Sequence, residues 1–363
     1  MDKEKKIVLT GGGTAGHVTP HLAIIPHLRK DGWEIHYIGT EDGIEHRLIE
    51  DVNKDAGETV VTYHSVPSGK LRRYFDVKNF TDPFRVMKGV GKAGSLVGKL
   101  RPSVVFSKGG FVSVPVVYGA FMHGVPVVLH ESDITPGLAN KITAPFAKAV
   151  CTTFPEAAEA VGAKGVTTGS PIRESLFKGS RPKGLAFAGF DGRKPVLLMM
   201  GGSSGAQSVN KALRDALPAL APKYDILHIC GKGNTDSALS KTVGYRQFEY
   251  VDKQLPDVFA ATDIMLSRSG SNALSEILAL RVPALLVPYP KGASRGDQIL
   301  NAQSFMRRGF SQILYQEDLS AETLARSIDT LYADRARLRS AMEREPASNG
   351  IEGVLAQIYK YAK

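Results

Sequence analysis

His17 stands directly after a glycine-rich turn, Gly11-Gly12-Gly13-Thr14-Ala15-Gly16. Glycines ahead of a helix let backbone N–H groups approach a phosphate at the positive end of the helix dipole. An imidazole at that spot points into the crevice, where titration near neutrality suits it to take a proton from an attacking hydroxyl. A buried, hydrogen-bonded structural histidine is the plainer alternative. The turn also satisfies the Gly-x-Gly-x-x-Gly dinucleotide fingerprint, with Glu41 near the end of the next strand, so a nicotinamide or flavin enzyme is an open reading. A tight turn that needs positive φ is another.

A second turn, Gly201-Gly202-Ser203-Ser204-Gly205-Ala206, occupies the same place in the other half of the chain. Two such turns favour a bilobed transferase with one phosphate site per half over a single dinucleotide domain. Further candidates follow other strands. Lys108-Gly109-Gly110 and His130-Glu131-Ser132-Asp133 put polar groups at the ends of apolar runs. In Arg268-Ser269-Gly270-Ser271-Asn272-Ala273-Leu274-Ser275-Glu276 a glycine turn opens a helix. Glu276 there could take a ribose diol or complement the helix dipole. Gly296-Asp297-Gln298, with Asn301, could hydrogen-bond a sugar or simply begin a helix. No Asp-x-Asp pair and no His/Cys cluster occurs, so an obligatory catalytic metal is not expected.

These groups need a scaffold that delivers strand ends to one crevice. Strands are predicted at 6–10, 33–38, 103–106, 125–129 and 149–152, then at 196–200, 225–229, 248–251, 264–266 and 284–287. They alternate with helical patterns, which implies parallel sheets with helices on both faces. The chain thus begins twice with strand, glycine turn and helix. The expected fold is α/β, two Rossmann-like doubly wound domains with facing crevices. The first is expected over 1–166 and the second over 167–344, with a last helix, within 345–363, able to pack back on the first.

At 363 residues two domains are the default. A composition 43% hydrophobic and 23% charged is that of a folded globular chain. Cys151 and Cys230 stand far apart, which excludes a disulfide framework and points to a reducing cytosol. Lys3, Lys5 and Lys6 precede only Ile7–Leu9, too short an apolar run for a secretion signal. The long apolar stretch Val112–Leu129 is broken by Pro115, Gly119, Gly124 and Pro126, and reads as buried strand and helix, not a membrane span. The net charge of +10 favours acidic partners.

The ordered motifs resemble a known family. They are Gly-Gly-Thr-Ala-Gly-His-Val-x-Pro at 12–20, Lys-Gly-Gly-Phe-Val-Ser-Val-Pro at 108–115 and His-Glu-Ser-Asp at 130–133. Gly-Ser-Pro-Ile-Arg at 169–173, Gly-Gly-Ser-Ser-Gly-Ala at 201–206, Arg-Ser-Gly-Ser-Asn-Ala-Leu-Ser-Glu at 268–276 and Asp-Gln-x-x-Asn-Ala at 297–302 complete the set. Over nearly the whole chain they are similar to the MurG family of UDP-N-acetylglucosamine transferases of peptidoglycan synthesis. The resemblance implies a GT-B fold and an inverting, metal-independent transfer of N-acetylglucosamine to the C4 hydroxyl of the muramyl unit of an undecaprenyl-pyrophosphate-linked acceptor. It implies no cofactor beyond the UDP-N-acetylglucosamine donor, and a peripheral place on the cytoplasmic face of the bacterial cell membrane, with other cell-wall enzymes as partners.

By residue-wise match, the donor would meet Ser203, Arg173, Val251, Arg268, Asn272, Ala273, Glu276, Asp297 and Gln298, with Thr14, Ala15, Gly16 and Asp133 on the other half. Gly12, Gly13, Gly109 and Gly110 would serve the acceptor phosphates, and His17 or Glu131 the proton. A related lipid glycosyltransferase would keep the donor half and change the acceptor. The family pattern often has glycine at Ala15, Asn at Asp133 and Leu-Thr at Asn272-Ala273.

Between Lys70 and Arg101 nine basic residues face two acids, Asp76 and Asp82. Arg72, Arg73, Tyr74, Phe75, Phe80 and Phe84 suit an anionic membrane surface, apolar rings ringed by cations. A core-facing stripe with a solvated basic side is the alternative. No nucleic-acid-binding motif accompanies the charge.

Overall fold

The computed structural model describes residues 5–67, 82–202, 206–291, 296–345 and 349–363, with only the backbone for 82–88. Two compact units divide the chain, Met1–Arg173 with Asn349–Lys363, and Glu174–Ser348.

The first unit holds β1 (Lys6–Thr10), β2 (Glu34–Gly39), β3 (Val61–Ser65), β4 (Val104–Ser107), β5 (Val127–Glu131), β6 (Ala149–Thr152) and β7 (Gly165–Thr167). All pair in parallel, in the order β3-β2-β1-β4-β5-β6-β7. Helices cover both faces, so the central strands are apolar throughout instead of alternating; Ile7, Val8 and Leu9 are all fully buried. The chain winds outward from β1 to one edge, then returns to β4 on the other side of β1. The loops after β1 and β4 therefore lead to helices on opposite faces at the reversal of strand order, where such sheets bind ligands.

The helix Ile351–Tyr361 carries Ile351, Val354, Leu355 and Ile358 at helical spacing into the core cluster of Ile7, Leu9, Trp33 and Tyr37. Each such buried side chain contributes roughly 1.5–3 kcal/mol. On the opposite face, Ala93 and Val97 of the helix Asp82–Leu100 pack with Val116, Val117 and Ala120 of the helix Ser113–Met122. Lys92 and Lys99 point to solvent. Over 89–101 the basic stretch is thus a core-facing stripe with a charged outer side.

The second unit holds β8 (Val196–Met200), β9 (Asp225–Ile229), β10 (Tyr245–Phe248), β11 (Ile264–Ser267), β12 (Ala284–Leu286) and β13 (Ser311–Ile313). Its parallel order is β10-β9-β8-β11-β12-β13, with the reversal between β8 and β11. The strand predicted at 248–251 forms three residues earlier. Gly244 turns the chain at φ 73, and Tyr245 to Phe248 then pair with Ile226 to Ile229, which leaves Val251 in the following loop. Among the described residues no helix is long and apolar enough to cross a membrane.

Candidate active site

In the first unit, the turns after β1 and β4 touch each other. Gly110 sits at φ 84, and a Cβ there would collide with the carbonyl oxygen of Gly12. Gly13 and Gly109 also take positive φ, 86 and 85. Close approach of two backbones and left-handed φ both require glycine here. Gly12, Gly13, Gly109 and Gly110 are therefore gathered in one place.

Thr14 precedes a short 3₁₀ turn, Ala15–His17, ahead of the helix Thr19–Lys30. That turn folds half-buried His17 back on its own loop, with Nδ1 2.9 Å from the Gly12 carbonyl and 3.2 Å from the Thr14 hydroxyl. The carbonyl can only accept, so Nδ1 carries the proton and Nε2 the basic lone pair. The neighbouring Gly11 carbonyl accepts from the Tyr37 hydroxyl at 2.6 Å, and Tyr37 also meets His21 Nδ1 at 3.2 Å. Burial first, then the nearby Lys108, holds His21 well below the usual histidine range.

Glu45, fully buried, closes the loop from the other side. Its Oε1 accepts from the Thr40 amide at 3.0 Å and hydroxyl at 2.7 Å, and its Oε2 from the Gly13 amide at 3.3 Å. A Cβ on Gly12 would lie 2.5 Å from that carboxylate, so glycine admits it.

Lys108 is 2% exposed. Its Nζ donates to His130 Nδ1 at 2.7 Å and to the Ser132 hydroxyl. His130 Nε2 in turn meets the Gly169 carbonyl at 2.9 Å, which fixes the tautomer as neutral with its proton on Nε2. Burial pulls the Lys108 amine down to about 8 against the opposing pull of Glu131 and Asp133, and burial beside Lys108 holds His130 well below its usual range.

Glu131 Oε1 accepts the amides of Ser132 (2.9 Å) and Asp133 (3.1 Å). Its Oε2 accepts the Gly137 amide (2.9 Å) and Asn140 Nδ2 (2.8 Å). Both oxygens are engaged by donors from its own turn. Arg173 ends the first segment of this unit, half-buried, and its Nε has no hydrogen-bond partner among the described residues.

In the second unit, Gly202 follows β8 at φ 91, and the helix Gln207–Asp215 follows the turn. Arg268, 5% exposed, reaches from the end of β11 to the carbonyls of Val287 (2.9 Å) and Pro288 (3.2 Å) and to the Ser208 hydroxyl (3.0 Å), over the ring of Tyr289. This buried guanidinium staples three chain segments. Ser269 donates to the Gln298 carbonyl at 2.7 Å, and Asn301 to the Ser269 carbonyl at 3.3 Å. These bonds bring the turn before the helix Ser271–Leu280 against the start of the helix Asp297–Arg307. Asn272 and Glu276 share one face of the former, four residues apart and half-buried beside Ala273. Asp297 and Gln298 open the latter, where the Gln298 Oε1 accepts from the Tyr289 amide at 3.2 Å. Val251 is 4% exposed in the loop after β10.

Ser203, Arg72, Arg73, Tyr74, Phe75 and Phe80 lie outside the described residues, as does the side chain of Phe84. Two residues with no assigned role emerge from the geometry. Lys108 was visible as a motif member, whereas no motif marks Glu45, whose partner turn is 32 positions away.

Residues 7–152 match the glycosyltransferase family 28 N-terminal domain and residues 196–358 its C-terminal domain. A "UDP-N-acetylglucosamine--N-acetylmuramyl-(pentapeptide) pyrophosphoryl-undecaprenol N-acetylglucosamine transferase" of Clostridium novyi (strain NT) is 51% identical over 360 residues, 99% of either chain. One of Geobacillus thermodenitrificans (strain NG80-2) is 52% identical over the same length and coverage. Among solved structures, MurG of Acinetobacter baumannii superposes with a TM-score of 0.77 at 24% identity, covering 98% of this chain and 99% of that one. The calicheamicin glycosyltransferase CalG4 gives 0.70 at 16%, covering 99% and 98%.

Fold and matches together define a glycosyltransferase of the GT-B class. The dinucleotide reading of the first turn gives way to them, and Glu41, near the end of the next strand, is solvent-exposed. The chain belongs to glycosyltransferase family 28, in its MurG branch of N-acetylglucosamine transferases.

Proposed function

We propose that this enzyme moves N-acetylglucosamine from UDP-N-acetylglucosamine to the C4 hydroxyl of undecaprenyl-pyrophosphoryl-N-acetylmuramyl-pentapeptide, converting lipid I to lipid II. The observation that carries it is end-to-end likeness to transferases of that name, running through both switch-point turns. The acceptor oxygen bonds to the anomeric carbon, the bond from that carbon to the diphosphate oxygen breaks with inversion, and UDP leaves with the electron pair. His17 Nε2 takes the hydroxyl proton. Glu131, its oxygens already engaged, positions the 131–140 turn instead of reacting. Gly12, Gly13, Gly109 and Gly110 offer backbone to the acceptor diphosphate.

In the donor half Glu276 takes the ribose, Asn272, Ala273 and Gln298 border the sugar, and Val251 meets the uracil. The direct test is UDP release and product formation with the lipid-linked muramyl pentapeptide, run beside diacylglycerol as acceptor. Turnover on diacylglycerol alone would replace the acceptor assignment, and none on either would end it. Loss of a charged hydrogen-bond partner costs about 1.5–3 kcal/mol. Glu276→Ala is therefore expected to weaken UDP binding roughly tenfold to a hundredfold with the fold intact. Unchanged affinity by calorimetry removes Glu276 from the site.

The same reading places the enzyme peripherally on the cytoplasmic membrane face. An exposed apolar patch supports this: Tyr118, Phe121 and Met122 on one helix and Leu138 and Ile142 on the next, with Lys141 and Lys148 exposed beside them. Cations near an anionic surface contribute on the order of 1 kcal/mol each. Sedimentation with anionic vesicles is expected, falling as salt rises, and lost in a Phe121→Ser, Met122→Ser variant that still binds UDP. Equal binding to neutral vesicles, or no loss in the variant, would locate the membrane face elsewhere.

A further inference from the structure

We infer that Glu45 is a positioning residue for His17, acting through the single peptide group that joins Gly12 to Gly13. The inference rests on the reading of His17 as proton acceptor. The N–H of that peptide, on Gly13, donates to Glu45 Oε2 at 3.3 Å, and its C=O, on Gly12, accepts from His17 Nδ1 at 2.9 Å. A buried carboxylate, a peptide and an imidazole thus form one hydrogen-bonded line. A carboxylate on the N–H polarises the amide and makes its carbonyl a stronger acceptor, as bonds in a chain reinforce one another at low dielectric. The carbonyl then holds the proton on Nδ1 and leaves the basic lone pair on Nε2. An Asp bonded directly to a catalytic histidine does the same work in hydrolases, setting tautomer and orientation and stabilising the imidazolium. Here a peptide is interposed.

The surroundings are built for this. Glu45 is fully buried, yet both oxygens accept only N–H and O–H donors, from Thr40 and Gly13. Its carboxylate lies against Gly12 and Gly43, where any side chain would displace it. Tyr37 and Tyr63 face it, and burial first, then Glu45 itself, pushes both phenols up, so they stay neutral. A residue serving only the helix Ile44–Ala56 would not need its charge turned into the glycine loop.

The test is Glu45→Gln, which keeps an acceptor for Thr40 but removes the charge and turns a donor or a weaker acceptor to Gly13. Among metal-bound histidines, losing the partner that orients the ring typically lowers activity by about 10- to 100-fold, and a loss of that order is expected here. That loss is expected in kcat, with the KM for UDP-N-acetylglucosamine near wild type. Added to a His17→Asn background, the same change is expected to do nothing further, because residues acting as one unit are not additive. If Glu45→Gln keeps full turnover, or multiplies the His17→Asn defect, the relay is overturned. If His17→Asn itself keeps turnover, the proton-acceptor reading fails and takes the relay with it. Should Glu45→Gln not fold, ¹⁵N-imidazole NMR of the wild-type enzyme decides. The Nδ1–H tautomer at His17 is expected, and an Nε2–H tautomer overturns the inference.

Discussion

Asn in place of His17 is expected to lower kcat by about 100- to 10,000-fold, the range that general-base catalysis supplies. The Kd for UDP should stay near wild type. The substitution is chosen for its geometry. Asn can still donate to the Gly12 carbonyl, as Nδ1 now does at 2.9 Å, so the loop keeps its internal bond. What disappears is a basic nitrogen. Glu276 and Val251, proposed to hold the nucleoside, are carried by the other unit, so the affinity for UDP is expected to stay unchanged. Single-turnover rates and calorimetry on one preparation separate the two quantities. A loss below tenfold would send the proton elsewhere, and Glu131 is poorly placed to receive it, with four donors on its two oxygens.

The central strands were legible because burial on both faces makes them unbroken apolar runs, as at Ile7–Leu9 and Val196–Met199. The edge strands β3, β7 and β13 were not. Most of their residues, Thr62, His64 and Gln312 among them, are half-buried or exposed, and pairing with a neighbour rather than side-chain pattern makes them strands. The glycine turns were legible for a local reason, since left-handed φ at Gly13 and Gly110 admits few other residues. Glu45 carries no local signature, and the motifs that hold Lys108, His130 and Ser132 do not show that the three meet. Their partners come from turns after separate strands, and only the parallel register brings those turns side by side.

Raising the pH from about 8 to 10.5 should stabilise the first unit through Lys108 alone. The buried amine titrates at about 8, against 10.5 in an exposed chain, because burial outweighs the attraction of Glu131 and Asp133. Below pH 8 the amine is protonated in both folded and unfolded chains, and the folded state bears the full cost of enclosing a cation. Between the two values the unfolded chain binds more protons than the folded one, so stability rises with pH. Above 10.5 both forms are neutral and the cost is gone. At about 1.36 kcal/mol per pH unit the gain is roughly 3 kcal/mol. A neutral amine still has two N–H donors, enough for His130 and Ser132, so nothing is orphaned as the charge leaves. Lys108→Met, of similar length and without a titrating group, supplies the reference. Trp33, the only tryptophan in the chain, is 8% exposed in this unit's core and stacked on Tyr359, so its fluorescence reports this unit's unfolding in urea. The wild-type minus Lys108→Met difference in unfolding free energy is expected to climb by that amount across the window, while groups common to both proteins cancel. Parallel curves would mean that Lys108 keeps an ordinary amine in the folded enzyme.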